Sequence, residues 1–192
     1  MVLGVDKLLE LVKEKKLVER LCERELANPE GAGFDLRLGE IFELEGEGFL
    51  GIENRDTPDL KKVAEYKDKN VGAIHESPPQ ETEEEFFELE PRKYYLVTTI
   101  ESVNLPGNLI AFIVSRTTLF RSGIALFNGA VSPGYQGKLT FAICNLGNKK
   151  IKIAMGARVV HITFHEVSGS SSLYRGQWQG GRVTTSGTEK QV

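Results

Sequence analysis

The sequence has few of the residues that crosslink small domains or gather metal ions. It holds only two cysteines, Cys22 and Cys144, and only three histidines among 192 residues. The cysteines lie far apart and match no zinc or redox spacing, so we expect reduced thiols in a cytoplasmic protein. A chain of this length can bury enough apolar surface to fold as one domain without disulfides or a structural metal.

Long hydrophobic runs and a strong charge of one sign are also absent. No apolar run approaches the roughly 20 residues of a membrane-spanning helix, and the first 16 residues are too charged for a signal peptide. The formal net charge is −3, with 27% charged and 40% hydrophobic residues. A dedicated nucleic-acid surface would need clustered Lys and Arg. We therefore expect a soluble globular protein with neither a membrane nor a nucleic acid as partner.

The first 25 residues predict helix, because apolar residues recur at helical spacing while Lys and Glu occupy the other face. Asp6 is a candidate N-cap, and Asn28-Pro29 with the glycines that follow ends the element. We expect the apolar stripe to pack on its own domain; docking on a partner is the less favoured alternative. Residues 1–28 thus form an N-terminal helical segment. The apolar positions are Val5, Leu8, Leu9, Val12, Leu17, Val18 and Leu21.

After Gly33 the hydrophobic period changes to two, which predicts short strands or a hairpin over residues 34–52. Residues 56–70 could form a small surface helix. Residues 75–90 include two adjacent prolines and seven acidic residues between Glu76 and Glu90. We interpret residues 53–90 as a solvated acidic connection in preference to an acidic metal site.

From Tyr94 to Val167 the sequence predicts six short strands separated by glycine-containing turns. This pattern is typical of an all-β barrel or a double-sheet jelly roll. Residues 29–167 would form this β domain, and residues 168–192 a polar, glycine-rich tail. The predicted strands cover residues 94–105, 109–116, 123–131, 137–146, 149–155 and 157–167.

Three glycine-flanked segments interrupt the strands: GAGFDLRLG (31–39), SRTTLFRSG (115–123) and GAVSPGYQG (129–137). Each is a weak signal alone. Together they supply backbone amides, hydroxyls and the planar guanidinium groups of Arg116 and Arg121, which suit a polyphosphate. The glycine spacing is that of neither a Walker loop nor a Rossmann fingerprint.

The chain resembles the dCTP deaminase and trimeric dUTPase superfamily. The resemblance rests on residues 89–124, on GFDLRLGE, SPGYQGKLTFAICNLG and MGARVVHITF, and on the tail SLYRGQWQGGRVTTSG. Matches occur in order over roughly residues 31–187. The resemblance implies a mainly β, distorted jelly-roll fold of the dUTPase-like type with an N-terminal helix. It also implies a homotrimer with sites between subunits, pyrimidine deoxynucleoside triphosphates as ligands, and Mg²⁺ as cofactor.

The resemblance also assigns roles to individual residues. Asp35 would help position a hydrated Mg²⁺, Thr117 would contact the catalytic water, and Tyr135 would pack on the deoxyribose. Ser132 stands where the family carries a catalytic Asp. The remaining nucleotide contacts would be Arg116, Thr118, Arg121, Gly129, His161, Trp178 and Gln179. Glycines on both sides of Trp178 favour a tail that closes over the ligand; the alternative is a tail that only pins the terminus.

Two departures from the family pattern bear on activity. A serine at position 132 is no base near neutral pH, so we expect dUTP hydrolysis to be impaired. Ala142 stands where the deaminases carry a proton-shuttling Glu. Asp35, Glu40 and His161 are candidates to replace the missing general base. For His161 we favour the alternative that it is an ordinary polar residue on the outer face of a strand.

These observations favour binding and metabolism of pyrimidine deoxynucleoside triphosphates by dUTP diphosphatase-like hydrolysis of dUTP to dUMP and pyrophosphate, and they leave open whether this hydrolysis is impaired. A dCTP deaminase-like protein is one alternative. A non-catalytic nucleotide-binding regulator is another.

Overall fold

The structure is a computed structural model that describes residues 1–68 and 84–191. It contains the helices α1 (Val5–Lys15), α2 (Glu23–Ala27) and α3 (Thr117–Arg121), and a 3₁₀ turn at Gln179–Gly181. The strands are β1 (Val18–Glu19), β2 (Phe34–Glu45), β3 (Phe49–Leu50), β4 (Asn54–Asp56), β5 (Asp59–Glu65), β6 (Phe86–Leu89), β7 (Tyr94–Asn104), β8 (Leu109–Ser115), β9 (Ile124–Phe127), β10 (Gln136–Asn145), β11 (Ile151–Ala154), β12 (Arg158–Glu166) and β13 (Glu189–Lys190).

One large sheet organises the molecule. Its strand order is β8-β12-β2-β7-β10-β9, with β1 paired to β7 and β5 paired to β2. Smaller sheets join β11 to β6 and β13 to β4 and β3. The pairings found in the described residues are antiparallel. The predicted mainly β fold is confirmed, as are the six strands predicted from alternation between residues 94 and 167.

The N-terminal residues pack on the same core as the sheet. Leu8 and Leu11 of α1 are buried, as are Leu17 and Val18. The predicted single helix over 25 residues is wrong, because Lys16 adopts a left-handed conformation (φ 53°) and ends α1. Val18 then pairs with β7, so a long-range strand contact overrides the local helical spacing. The predicted Asp6 cap is also wrong: Gly4 is the N-cap and no side chain caps α1.

The predicted surface helix at residues 56–70 is wrong within the described part, since Asp59–Glu65 forms β5. Its register with β2 places Ala64 opposite Ile41 and Leu60 opposite Leu44. The open edge of β2 thus decides the conformation of a segment that is ambiguous on its own. β6 pairs with β11 at the end of the predicted acidic connection. Residues 69–83 of that connection lie outside the described residues.

Cys22 and Cys144 are free thiols. Within residues 1–68 and 84–191, no helix is long and apolar enough to cross a membrane. The proposed division at residues 28 and 167 stays a prediction.

Candidate functional site

A cavity of about 400 Å³ lies on the outer face of the sheet. Four adjacent strands form its floor, and the loop after β9 forms one wall. The predicted catalytic position Ser132 and the predicted nucleotide contacts Gly129, Tyr135 and Trp178 all line it. The structure therefore brings together residues from the third glycine-flanked segment and the tail, which are far apart in sequence.

The tail segment (residues 173–191) covers the cavity. Tyr174, Trp178, Arg182 and Val183 contribute to the lining. Its attachment begins at Tyr174, whose backbone N–H donates to the Pro133 carbonyl at 2.7 Å. The Tyr174 ring stands edge-on to the Tyr135 ring, with centroids 5.4 Å apart.

Gln179 fixes the tail segment to the start of β10. Its side-chain amide donates to the Gly134 carbonyl at 3.1 Å, and its carbonyl oxygen accepts from the Gln136 backbone N–H at 3.2 Å. Gly137 has φ 132°, and a Cβ there would lie 2.4 Å from the Gly181 nitrogen. Only glycine permits this close approach of two backbones. Gln179 thus holds the tail segment over the cavity, although Gln179 itself does not line the cavity.

The hairpin of β3 and β4 holds the other end of the tail segment. The Arg55 guanidinium lies 4.9 Å from the centroid of the Trp178 ring, a cation–π contact. The Thr57 hydroxyl lies 2.9 Å from the Thr184 hydroxyl and accepts from the Thr185 backbone N–H at 2.9 Å. β13 pairs with β4 beside these contacts. These interactions keep the aromatic ring over the cavity.

The ionisable groups that line the cavity are three tyrosines and one arginine. Burial raises the pKa of Tyr94 and raises the pKa of Tyr135 to about 12. Tyr135 also donates its hydroxyl proton to the Lys138 carbonyl at 2.6 Å. Arg182 is paired with Glu189. Within the described residues, therefore, the lining offers no carboxylate, imidazole or thiol that could accept a proton near neutral pH.

Ala142 is buried, with 2% of its surface exposed, and it pairs with Leu96 of β7 and Phe127 of β9. The rings of Tyr94 and Phe127 have centroids 6.1 Å apart. Because β7 and β9 lie on opposite sides of β10, this ring contact crosses β10 above its small residues. A glutamate at position 142 would displace the aromatic pair.

Asp35 lies elsewhere, in a buried ionic cluster that we define as Glu25, Asp35, Arg116, Arg158 and His161. Asp35 is 4% exposed and contacts Arg116. Its carboxylate also accepts from Arg158 at 3.1 Å and lies 3.0 Å from His161 Nδ1. Glu25 is fully buried and accepts from the Asp35 backbone N–H at 2.9 Å. β2 and β12 create the cluster, since His161 is directly opposite Asp35.

This cluster does not fit the predicted metal role of Asp35. Its carboxylate already faces two guanidinium groups and an imidazole, and Arg24 approaches it to 3.8 Å. Divalent cations select oxygen-rich sites, and cationic neighbours oppose their binding. No group of three or more His, Cys, Asp or Glu side chains suited to a metal occurs in residues 1–68 and 84–191. His161 interacts with Asp35 and is not part of the cavity lining.

The predicted phosphate contacts lie on or beside α3. Thr117, Thr118 and Arg121 are exposed on this short helix, and Arg116 precedes it within the ionic cluster. None of these four residues lines the cavity. One chain therefore presents the predicted phosphate residues and the predicted base and sugar residues at separate places.

Glu40, the other candidate acid, is held by cations. Burial alone would raise the pKa of Glu40, but hydrogen bonds from Lys62, Lys138 and Thr98 outweigh it and lower the pKa to about 2. Lys62 and Lys138 approach its carboxylate to 2.8 and 3.1 Å. A carboxylate with so low a pKa is a poor proton acceptor near neutral pH.

Sequence reasoning missed several residues of the site. Arg55, Tyr174 and Arg182 belong to segments predicted as connection or tail. Tyr174 is held at the cavity by Pro133 and Tyr135, whereas Arg55 and Arg182 are positioned by the pairing of β4 with β13. Thr140 lines the cavity floor. The sequence did contain a signal for Thr140, because it is a polar residue in the alternating apolar and polar pattern of β10.

Comparisons with known proteins agree with this architecture. The sequence model described as "dCTP deaminase-like" matches residues 2–167. A Persephonella marina protein named "dCTP deaminase, dUMP-forming" is 30% identical over 96% of this chain and 95% of its own. A Methanopyrus kandleri protein named "Probable deoxyuridine 5'-triphosphate nucleotidohydrolase" is 33% identical over 69% of this chain and 76% of its own.

A solved structure shares the fold. The 2'-deoxycytidine 5'-triphosphate deaminase of Agrobacterium tumefaciens superposes with a TM-score of 0.60 at 17% identity. The match covers 85% of this chain and 48% of that one, so this chain spans about half of its length. At this identity the similarity concerns the fold alone, and it confirms the predicted dUTPase-like jelly-roll class.

Proposed function

Because the chain belongs to the dCTP deaminase-like family, we propose that it binds a pyrimidine deoxynucleoside triphosphate in the tail-covered cavity. The observation that carries this proposal is the meeting of Gly129, Ser132, Tyr135 and Trp178 in one cavity. Its volume of about 400 Å³ lies within the range of small-molecule sites. The names of the relatives direct attention to dCTP and dUTP as the first ligands to test.

The state of Tyr135 supports a preference for the deoxy sugar. Its hydroxyl is occupied by the Lys138 carbonyl, so the ring offers carbon atoms to a ligand. A ribose 2′-hydroxyl packed against this ring would lose water without gaining a hydrogen bond from Tyr135. An unpaired buried hydroxyl costs about 1–3 kcal/mol, which corresponds to roughly 5- to 150-fold in affinity.

We further propose that the complete site forms between the subunits of a homotrimer. Thr117 and Arg121 are exposed on α3 and outside the cavity, so a neighbouring copy is needed to supply them to the phosphates. Phe112 and Val114 are also exposed, on the edge strand β8. Burying these apolar side chains would favour association. The predicted Mg²⁺ would have to be held without Asp35, and the requirement for it stays a prediction.

Nucleotide binding with slow or absent turnover is the function that the geometry supports best. Hydrolysis of dUTP needs a base to activate water, and the cavity lining supplies none among the described residues. Loss of a general base typically lowers a rate by roughly 10²- to 10⁴-fold. A nucleotide-binding regulator would tolerate this loss.

Deamination of dCTP is the second candidate. The names of the relatives favour it over the dUTP hydrolysis that the sequence favoured. The buried Ala142 beneath Tyr94 and Phe127 argues against it, because no proton carrier stands at that position. We therefore expect no detectable deamination.

Parallel titrations and product assays test these proposals. Calorimetry with dUTP, dCTP, UTP and CTP should show tighter binding of the deoxynucleotides, and Tyr135→Ala should reduce that preference. Uracil nucleotides formed from dCTP, and pyrophosphate released from dUTP, should be followed separately with Mg²⁺ present. Equal affinity for dUTP and UTP would remove Tyr135 from its role. Rapid formation of uracil nucleotides would establish the second candidate.

Assembly has its own test. Light scattering should report three copies, and a monomer at micromolar concentration would contradict the shared site. Tyr135→Ala and Arg121→Ala each should weaken binding of dUTP. Mixed trimers of the two variants should regain about a quarter of normal sites by random assortment. No recovery in confirmed mixed trimers would place both residues in the same subunit's site or outside it.

A further inference from the structure

The cavity floor is built from side chains of four adjacent strands. Leu60 of β5, Leu44 of β2, Leu96 of β7 and Thr140 of β10 all line the cavity. Leu44 and Leu60 are opposite each other in the register. These three leucines form an apolar surface that ends at a threonine on β10.

The Thr140 hydroxyl oxygen is buried and makes no hydrogen bond within the described residues. Three other polar side chains of the lining are engaged: Thr57 with the tail threonines, Tyr135 with the Lys138 carbonyl, and Arg182 with Glu189. A buried hydroxyl without a partner is unfavourable for folding, and native proteins leave few of them. Because Thr140 lines a ligand-sized cavity, rotation about its Cα–Cβ bond to another staggered rotamer would turn this hydroxyl towards a ligand. The unpaired hydroxyl therefore points to a partner that arrives with the ligand.

We infer that the Thr140 hydroxyl is a hydrogen-bonding contact for the pyrimidine ring of the bound nucleotide, an inference that rests on the proposed function. The neighbouring leucines suit the flat face of a heterocycle and would disfavour a phosphate. A hydroxyl both donates and accepts, so it can meet a ring carbonyl or an exocyclic amino group. Thr140 thus contributes to binding of the base, separately from the sugar contact at Tyr135.

Thr98 provides a matched control. It lies directly opposite Thr140, on β7, and its hydroxyl donates to Glu40 at 3.0 Å. The same substitution, threonine to valine, therefore removes an unpaired hydroxyl at one position and a hydrogen-bonded hydroxyl at the other. Both changes keep the shape of the side chain.

The experiment measures thermal stability and nucleotide affinity for Thr140→Val, Thr140→Ser and Thr98→Val. Thr140→Val should keep or raise the Tm and weaken binding of dUTP or dCTP by about five- to tenfold. Thr140→Ser should bind like the unsubstituted protein. Thr98→Val should lower the Tm and leave nucleotide affinity unchanged.

Two results would overturn the role of Thr140 while leaving the proposed function intact. One is an unchanged nucleotide affinity in Thr140→Val. The other is a decrease in Tm as large as that of Thr98→Val, which would show that the Thr140 hydroxyl stabilises the fold. Failure of the unsubstituted protein to bind either nucleotide would instead refute the proposed function, and the inference with it.

Discussion

Removal of the Asp35 carboxylate should destabilise the fold. Asp35 is 4% exposed and pairs with Arg116, Arg158 and His161. Asp35→Asn keeps the size of the side chain and removes its charge. The arginines would then remain next to a neutral amide, with the buried Glu25 as the remaining carboxylate of the cluster.

The structure sets the size of this effect. Breaking a buried ion pair by removing one partner costs about 3–5 kcal/mol, because the other charge remains desolvated. Glu25 still compensates Arg158 at 3.6 Å, so we expect the lower end, about 3 kcal/mol. Glu30 provides the control: its side chain is 74% exposed and lies 3.4 Å from Arg24. Glu30→Gln should change the free energy of unfolding by less than about 1 kcal/mol.

Urea unfolding followed by far-ultraviolet circular dichroism measures both variants under identical conditions. Mg²⁺ added to the nucleotide-free protein should leave the unfolding midpoint unchanged, because the Asp35 carboxylate is already paired. A loss below 1 kcal/mol in Asp35→Asn would refute the structural role of the cluster. A Mg²⁺-dependent midpoint that disappears in Asp35→Asn would restore the metal role predicted from the sequence.

Three further predictions concern the catalytic departures and the charged surface. Ala142→Glu should lower the Tm and should not create dCTP deamination, because the new carboxylate lies beneath Phe127; adding Phe127→Ala should recover part of the Tm. Ser132→Asp should raise dUTP hydrolysis measured by pyrophosphate release, and an unchanged rate would show that the missing base is not at this position. Glu40→Gln should destabilise the protein at neutral pH. Since the pKa of Glu40 is lowered from 4.5 to about 2, its contribution exists above pH 4.5 and is lost towards pH 2, so acid unfolding curves of variant and parent should converge there. A difference in stability between Glu40→Gln and the parent that stays constant across this pH range would contradict the lowered pKa of Glu40.

The sequence predicts the strands best where local alternation and turn residues agree. Strands β7 to β12 follow this pattern, and each of them is found. β5 and β1 were missed because their local patterns suit a helix, while their pairing with β2 and β7 is a long-range interaction. Such pairing depends on which edges the rest of the sheet leaves open, and a local pattern does not contain that information.

The site was accessible from the sequence only in part. The family resemblance predicted four of the residues that line the cavity, and the fold brings them close together. They are Gly129, Ser132, Tyr135 and Trp178. Arg55 and Arg182 have no sequence signal, since their positions depend on the tail crossing the β3–β4 hairpin. The ionic pairing of Asp35 was likewise unforeseen, because it requires the register of β2 against β12.

The fluorescence of Trp178 offers the most direct test of the central claim, that the tail-covered cavity holds a pyrimidine deoxynucleotide. Trp178 is the single tryptophan of the chain, and its ring lines the cavity. Titration with dUTP or dCTP should change its emission saturably, at lower concentrations than UTP or CTP require. Emission that stays constant up to millimolar concentrations of both deoxynucleotides would contradict the account.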